Sequence, residues 1–166
     1  MDINTTLAQF GISDQLAKDT VLLIVIFIFG FIYGMLLSHH KLMSALANIY
    51  VAFAVINALP REMPVTANTK IIIFLAIIVL LTILSRRFFD IAFAGFGANK
   101  IWKIYTVSVL EIILILSIVF SIMSKTEATK YVSNTANHYL AGDWFRLVWM
   151  VAPLIFMLIF YRGRRH

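Results

Sequence analysis

Glu111 is the only acidic residue set inside an apolar run of this 166-residue chain, in "YTVSVLEIILILSIVF". A charge at the middle of a membrane helix costs about 2.5–3.5 kcal/mol on insertion scales. The aliphatic residues 112–116 each return about 0.3–0.6 kcal/mol. The helix therefore inserts, but the carboxylate needs a partner or a proton. Two chemistries are open to it: a proton or cation relay, or a structural hydrogen bond to a neighbouring helix, with Ser108 on the same face three residues earlier. The structural bond is the favoured expectation.

His39 and His40 are the second candidate, in the polar stretch Ser38-His39-His40-Lys41 between two apolar runs. Adjacent residues on a helix point about 100° apart, so the pair does not share a ligand face as histidines four apart would. His138 is the only other internal histidine, expected on the opposite side of the membrane. A polar turn at headgroup level is the favoured reading. A metal site is the alternative, and a pH-sensing role stays open because an unperturbed histidine titrates near pH 6.5.

Gly30 and Gly34 form a G-x-x-x-G whose spacing Ser38 continues, and Ser44, Asn48 and Ala52 repeat it on the next run. Small residues four apart make a flat groove into which another helix packs closely. The two matching faces predict a tight hairpin between the first and second helices, with homodimerisation through the glycines as the alternative. Asn48 and Asn57 read as hydrogen-bonding glue between helices. No cofactor or metal set is indicated. The chain has no cysteine, G-x-S-x-G, H-E-x-x-H or P-loop, and Ser117 and Ser121 have no histidine at a comparable depth to activate them. A non-enzymatic role is expected.

The elements that must hold these residues follow from composition. The chain is 61% hydrophobic and 13% charged, with mean hydropathy +0.92, and its charges cluster between apolar runs close to the length of a membrane span. The net charge of +6 comes from basic residues flanking those runs, where they anchor to lipid headgroups, and nucleic acid is not an expected partner. The reading is all-α: one polytopic transmembrane bundle of about five spans, or four spans plus an interfacial or re-entrant helix.

Residues 1–19 are a polar amino-terminal segment without the basic start of a signal peptide, so no cleavage is expected. The spans lie at about 20–37, 42–59, 65–85, 104–123 and 144–161. Pro60 and Pro64 stop the second and Pro153 bends the fifth. Residues 86–103 suit an interfacial segment, and residues 124–143 are a polar stretch with a short surface helix around 126–140. Trp102, Trp144, Trp149, Tyr105 and Tyr161 read as interface anchors.

Five spans place Lys41, Arg86, Arg87, Lys100, Lys103, Arg162, Arg164 and Arg165 on one side. Lys18, Arg61, Lys70, Lys125, Lys130 and Arg146 fall on the other. The richer side is taken as cytoplasmic, with the amino terminus outside and the chain in the plasma membrane.

The hairpin "FGFIYGMLLSHHKLMSALANIYVAFAVINAL" and the basic "SRRFF" after a third span resemble the colicin V production protein family of bacterial inner-membrane proteins. Tyr33 stands where that family usually has an arginine, and the glycines common in its fourth span are absent here. The resemblance implies an inner-membrane protein linked to toxin secretion or envelope homeostasis, without established catalysis. The leading functional expectation is a protein that works by assembling in the bilayer with itself or with a membrane-protein partner. The alternative is a small channel or transporter subunit using Glu111.

Overall fold

A computed structural model describes residues 14–36, 39–60, 66–88 and 100–162. They form seven helices: α1 (Asp14–Leu36), α2 (His39–Ala58), α3 (Ala67–Phe88), α4 (Lys100–Ile122), α5 (Lys125–Tyr131), α6 (Asn134–Ala141) and α7 (Asp143–Arg162). Three helices are long and apolar enough to cross a bilayer, within Gln15–Met35, Ala67–Ser85 and Ile104–Ile122. The pair α6 and α7, bent by 54° at its break, makes a fourth if taken as one span. The apolar part of α2, Leu42–Ala58, falls short of that length. The protein is thus a multi-pass helical membrane protein. Among the described residues three or four spans meet the length and hydropathy of a crossing, against an expectation of five or, in the alternative, of four with an interfacial or re-entrant helix.

Burial identifies the axis of the bundle. Ser108, Glu111, Leu114, Ser117 and Ile118 of α4 are all fully enclosed. Their spacing of three to four residues puts them along one stripe of the helix. α1, α2, α3, α6 and α7 all pack on α4. The main core joins Leu46, Ile49, Ala52 and Ile56 of α2 to Phe74 of α3 and to Leu114 and Ile118 of α4, with Met150 and Met157 of α7 against it. By contrast, Leu23, Phe27 and Ile28 of α1 and Ile72, Leu80 and Ile83 of α3 are more than half exposed. In a bilayer these are lipid-facing surfaces.

Local chemistry sets the ends and breaks. The surface helix expected around 126–140 is two helices. Ser124 caps α5 by accepting from the Glu127 N–H, and Ser133 caps α6 by accepting from that of Ala136. Each restart satisfies a donor that the new first turn leaves free. Asp19 of α1 reaches this turn, accepting from the Ser133 N–H at 3.1 Å and the Ser133 hydroxyl at 2.7 Å. At Gly142 an added Cβ would run into the His138 carbonyl, so the turn from α6 into α7 closes only on glycine. Pro153 lies inside α7 without ending it. α4 begins at Lys100, within the stretch expected to be interfacial; residues 89–99 of that stretch lie outside the described residues.

The expected packing of the first two helices on each other is not the one found. Gly30 and Gly34 face α4, where a Cβ would stand 2.8 Å from Val109 Cγ2 and 2.9 Å from Ser108 Oγ respectively. The small face of α2 turns elsewhere. Ala52 sits in the core with Phe74 and Leu114, and Ala45 and Leu42 sit beside Ile104 and Val107 of α4, with Tyr33 of α1 also against them. A short connection joins two helices only at one end. Which helix fills a glycine groove is decided by the face that fits it, and α4 offers Val109 and Ser108.

Candidate functional site

Three polar side chains interrupt the buried stripe of α4, and they are treated differently by their surroundings. Ser108 donates to the carbonyl of Ile104 at 2.9 Å, closing on its own helix as buried serines do. Ser117 donates to the carbonyl of Leu140 at 2.6 Å. That bond ties α4 to the carboxyl end of α6, where the helix break leaves carbonyls without helical donors. The indole of Trp149 satisfies the neighbouring Tyr139 carbonyl at 2.8 Å.

Glu111 has no such bond. Its side chain is fully enclosed, and neither carboxyl oxygen accepts a hydrogen bond. The phenols of Tyr33 of α1 and Tyr50 of α2 both lie within electrostatic reach of it, and Tyr33 is the one turned toward it. The Tyr33 hydroxyl comes close to the carboxyl without completing a bond of ordinary geometry. The Tyr50 hydroxyl is engaged in the opposite direction, donating to the Met150 carbonyl of α7. The centre of the bundle therefore holds a carboxyl contributed by α4 and phenols contributed by α1 and α2. One of those phenols is latched to α7. Above and below along α4 the walls are Ser108, Leu114 and Ile118.

The other sequence candidates are dispersed around this centre. Asn48, buried on α2, bonds to α3, its Nδ2 donating to Ser85 Oγ at 3.1 Å and to Thr82 Oγ1 at 3.4 Å while Ser85 Oγ donates back at 3.3 Å. Asn57 does not bridge helices: it is exposed and donates to the Phe53 carbonyl of its own helix at 3.0 Å. Ser44 is half-buried on α2. His39 and His40 open α2, but their side chains, and Ser38 altogether, lie outside the described residues. His138 packs its ring against Tyr139 and Phe145, with centroids 6.0 and 5.6 Å away. Among the described residues no three histidine or carboxylate side chains gather as a metal set would.

Reading the sequence missed Tyr33 and Tyr50. A signal existed for the second: Tyr50 lies near the middle of α2, deeper than the helix ends where tyrosines anchor at headgroups. Comparison with known proteins adds no further candidate, since no family model, curated protein or solved structure matches the chain.

Proposed function

We propose that this chain is a small channel or transporter subunit that handles a proton or cation at the Glu111 carboxyl. One observation carries the reading: the carboxyl is fully enclosed and neither oxygen is hydrogen-bonded. A carboxyl kept for structure finds a donor, because an unsatisfied polar group in hydrocarbon costs several kcal/mol. A carboxyl kept for exchange needs a donor in reach but not permanently engaged, and the Tyr33 phenol stands in that relation, whereas the Tyr50 hydroxyl is given to the Met150 carbonyl. Assembly by helix packing alone, the expectation favoured by sequence, called for Glu111 to be held by one neighbour. The reading is non-catalytic in that it asks Glu111 only to take up and release a proton or cation.

Five crossings in the plasma membrane go with it, the amino terminus outside and the carboxyl terminus in the cytoplasm. Support for counting α2 as a crossing comes from its register. Leu42 and Ala45 lie beside Ile104 and Val107, and Ile49 to Ile56 lie beside Leu114 and Ile118, so α2 runs along most of α4. α1 runs the other way, Gly30 against Val109 and Gly34 against Ile104.

The test is flux into liposomes containing the full chain and an enclosed pH-sensitive dye, under an imposed proton gradient and then a membrane potential. Wild type should exceed protein-free liposomes. Glu111→Gln should lose at least about tenfold of that flux with its helicity intact, and Glu111→Asp should keep part of it. Wild-type flux at the protein-free level, or Glu111→Gln equal to wild type, would sink the proposal.

A further inference from the structure

Between α1 and α4, at the end of the bundle where α1 finishes and α4 begins, lies a groove of about 620 Å³ lined by Phe31, Gly34, Met35, Trp102, Ile104 and Tyr105. Its surface is almost entirely carbon. Gly34 brings α1 close to Ser108 and Ile104 at the floor, and Tyr105 holds the aromatic wall together, its ring 6.4 Å from those of Phe27 and Phe31 and 6.1 Å from that of Trp102. Phe31, Met35 and Trp102 are each more than half exposed, so the groove opens sideways toward the bilayer. An apolar slot facing hydrocarbon takes a chain of hydrocarbon. Its position adds a charge preference, because Lys100 and Lys103 belong to the first turn of α4, at the end of the bundle where the groove lies. Lysines at that depth attract anionic headgroups.

We propose that this groove is a binding site for an anionic phospholipid of the surrounding bilayer. One acyl chain lies against Phe31, Met35, Trp102 and Tyr105, and the phosphate sits at the level of Lys100 and Lys103. The site is separate from Glu111 and does not depend on its role.

Trp102 reports directly on occupancy. The full chain is reconstituted in bilayers of mixed phosphatidylglycerol and phosphatidylcholine, with bromine placed on the acyl chains of one lipid at a time. Quenching of tryptophan emission is compared between wild type and Trp102→Phe, so that the difference isolates Trp102. Brominated phosphatidylglycerol should quench Trp102 with a relative association constant about tenfold above that of brominated phosphatidylcholine. In Lys100→Gln/Lys103→Gln the two lipids should become equivalent while helicity by circular dichroism is unchanged. If the double variant loses helicity, the single variants are read in its place and should each lower the preference. Equal quenching by both lipids in wild type, no quenching by either, or a preference that survives loss of the lysines would each overturn the proposal.

Discussion

Replacing Gly30 by alanine places a Cβ 2.8 Å from Val109 Cγ2 and 3.4 Å from Val109 Cα. Carbon atoms are most comfortable about 3.5–4.0 Å apart, so either α1 retreats by about 1 Å or Val109 turns. Turning is hindered, because a valine on a helix is held in one χ1 well, and the Cα behind it cannot move without its helix. Overpacking of this kind costs about 1–3 kcal/mol. Alanine in a helix interior recovers about 0.8–1.0 kcal/mol relative to glycine, which leaves a net loss of about 1 kcal/mol.

Val109→Ala removes the obstructing γ-carbons. In the double variant the clash is gone and the helix-propensity gain remains. Gly30→Ala should therefore turn from destabilising to neutral or stabilising, with a coupling energy of about 1–2 kcal/mol. Gly34→Ala is the internal comparison. Its nearest neighbour is the Ser108 hydroxyl at 2.9 Å, an atom that can rotate away, though only by leaving the Ile104 carbonyl. Its loss should be smaller. Equilibrium unfolding of the four variants in mixed micelles, followed by helicity, gives the cycle. If Gly30→Ala and Val109→Ala add to within about 0.5 kcal/mol, the close approach of α1 to α4 is refuted. Coupling of Gly30 to Ser44 or Ala52 would restore the hairpin packing.

Asp19→Ala removes both acceptors of Ser133, and at about 1.5–3 kcal/mol for a bond to a charged group the chain should lose roughly 2 kcal/mol. Hydrogen exchange should quicken across α5 and α6 and not in α2 or α3; uniform or unchanged exchange would contradict the tether. Reporter fusions at Arg165 and within the α5–α6 turn should report opposite sides of the membrane, and finding both on one side would remove the five-crossing topology.

How much of this was legible in the sequence depends on whether the governing physics is local. Helix positions were legible because an apolar run bounded by proline or charge has few alternatives, so α2, α3 and α7 lie close to the expected spans at both ends, while α1 and α4 match at their ends and begin earlier than expected. The break between α5 and α6 was not. It is made by Ser133, whose backbone and hydroxyl are held by an aspartate 114 residues away, and no window of sequence contains both. The glycine pair was legible as a close approach but not as an approach to α4. Spacing announces a groove, whereas the ridge that fills it is chosen among all the helices present. Glu111 stood out because a lone acid in an apolar run has a high cost that composition alone reveals. Its neighbours did not, because tyrosine is at home both at headgroups and in a core. Only the packing of α1 and α2 against the same stretch of α4 turns Tyr33 from a bilayer anchor into the polar group that meets the carboxyl and brings Tyr50 within its electrostatic reach. The acid can be found by scanning the chain, but whether it is glue or a site is decided by which of its neighbours' hydroxyls are already committed, and the Tyr50 hydroxyl is committed to Met150.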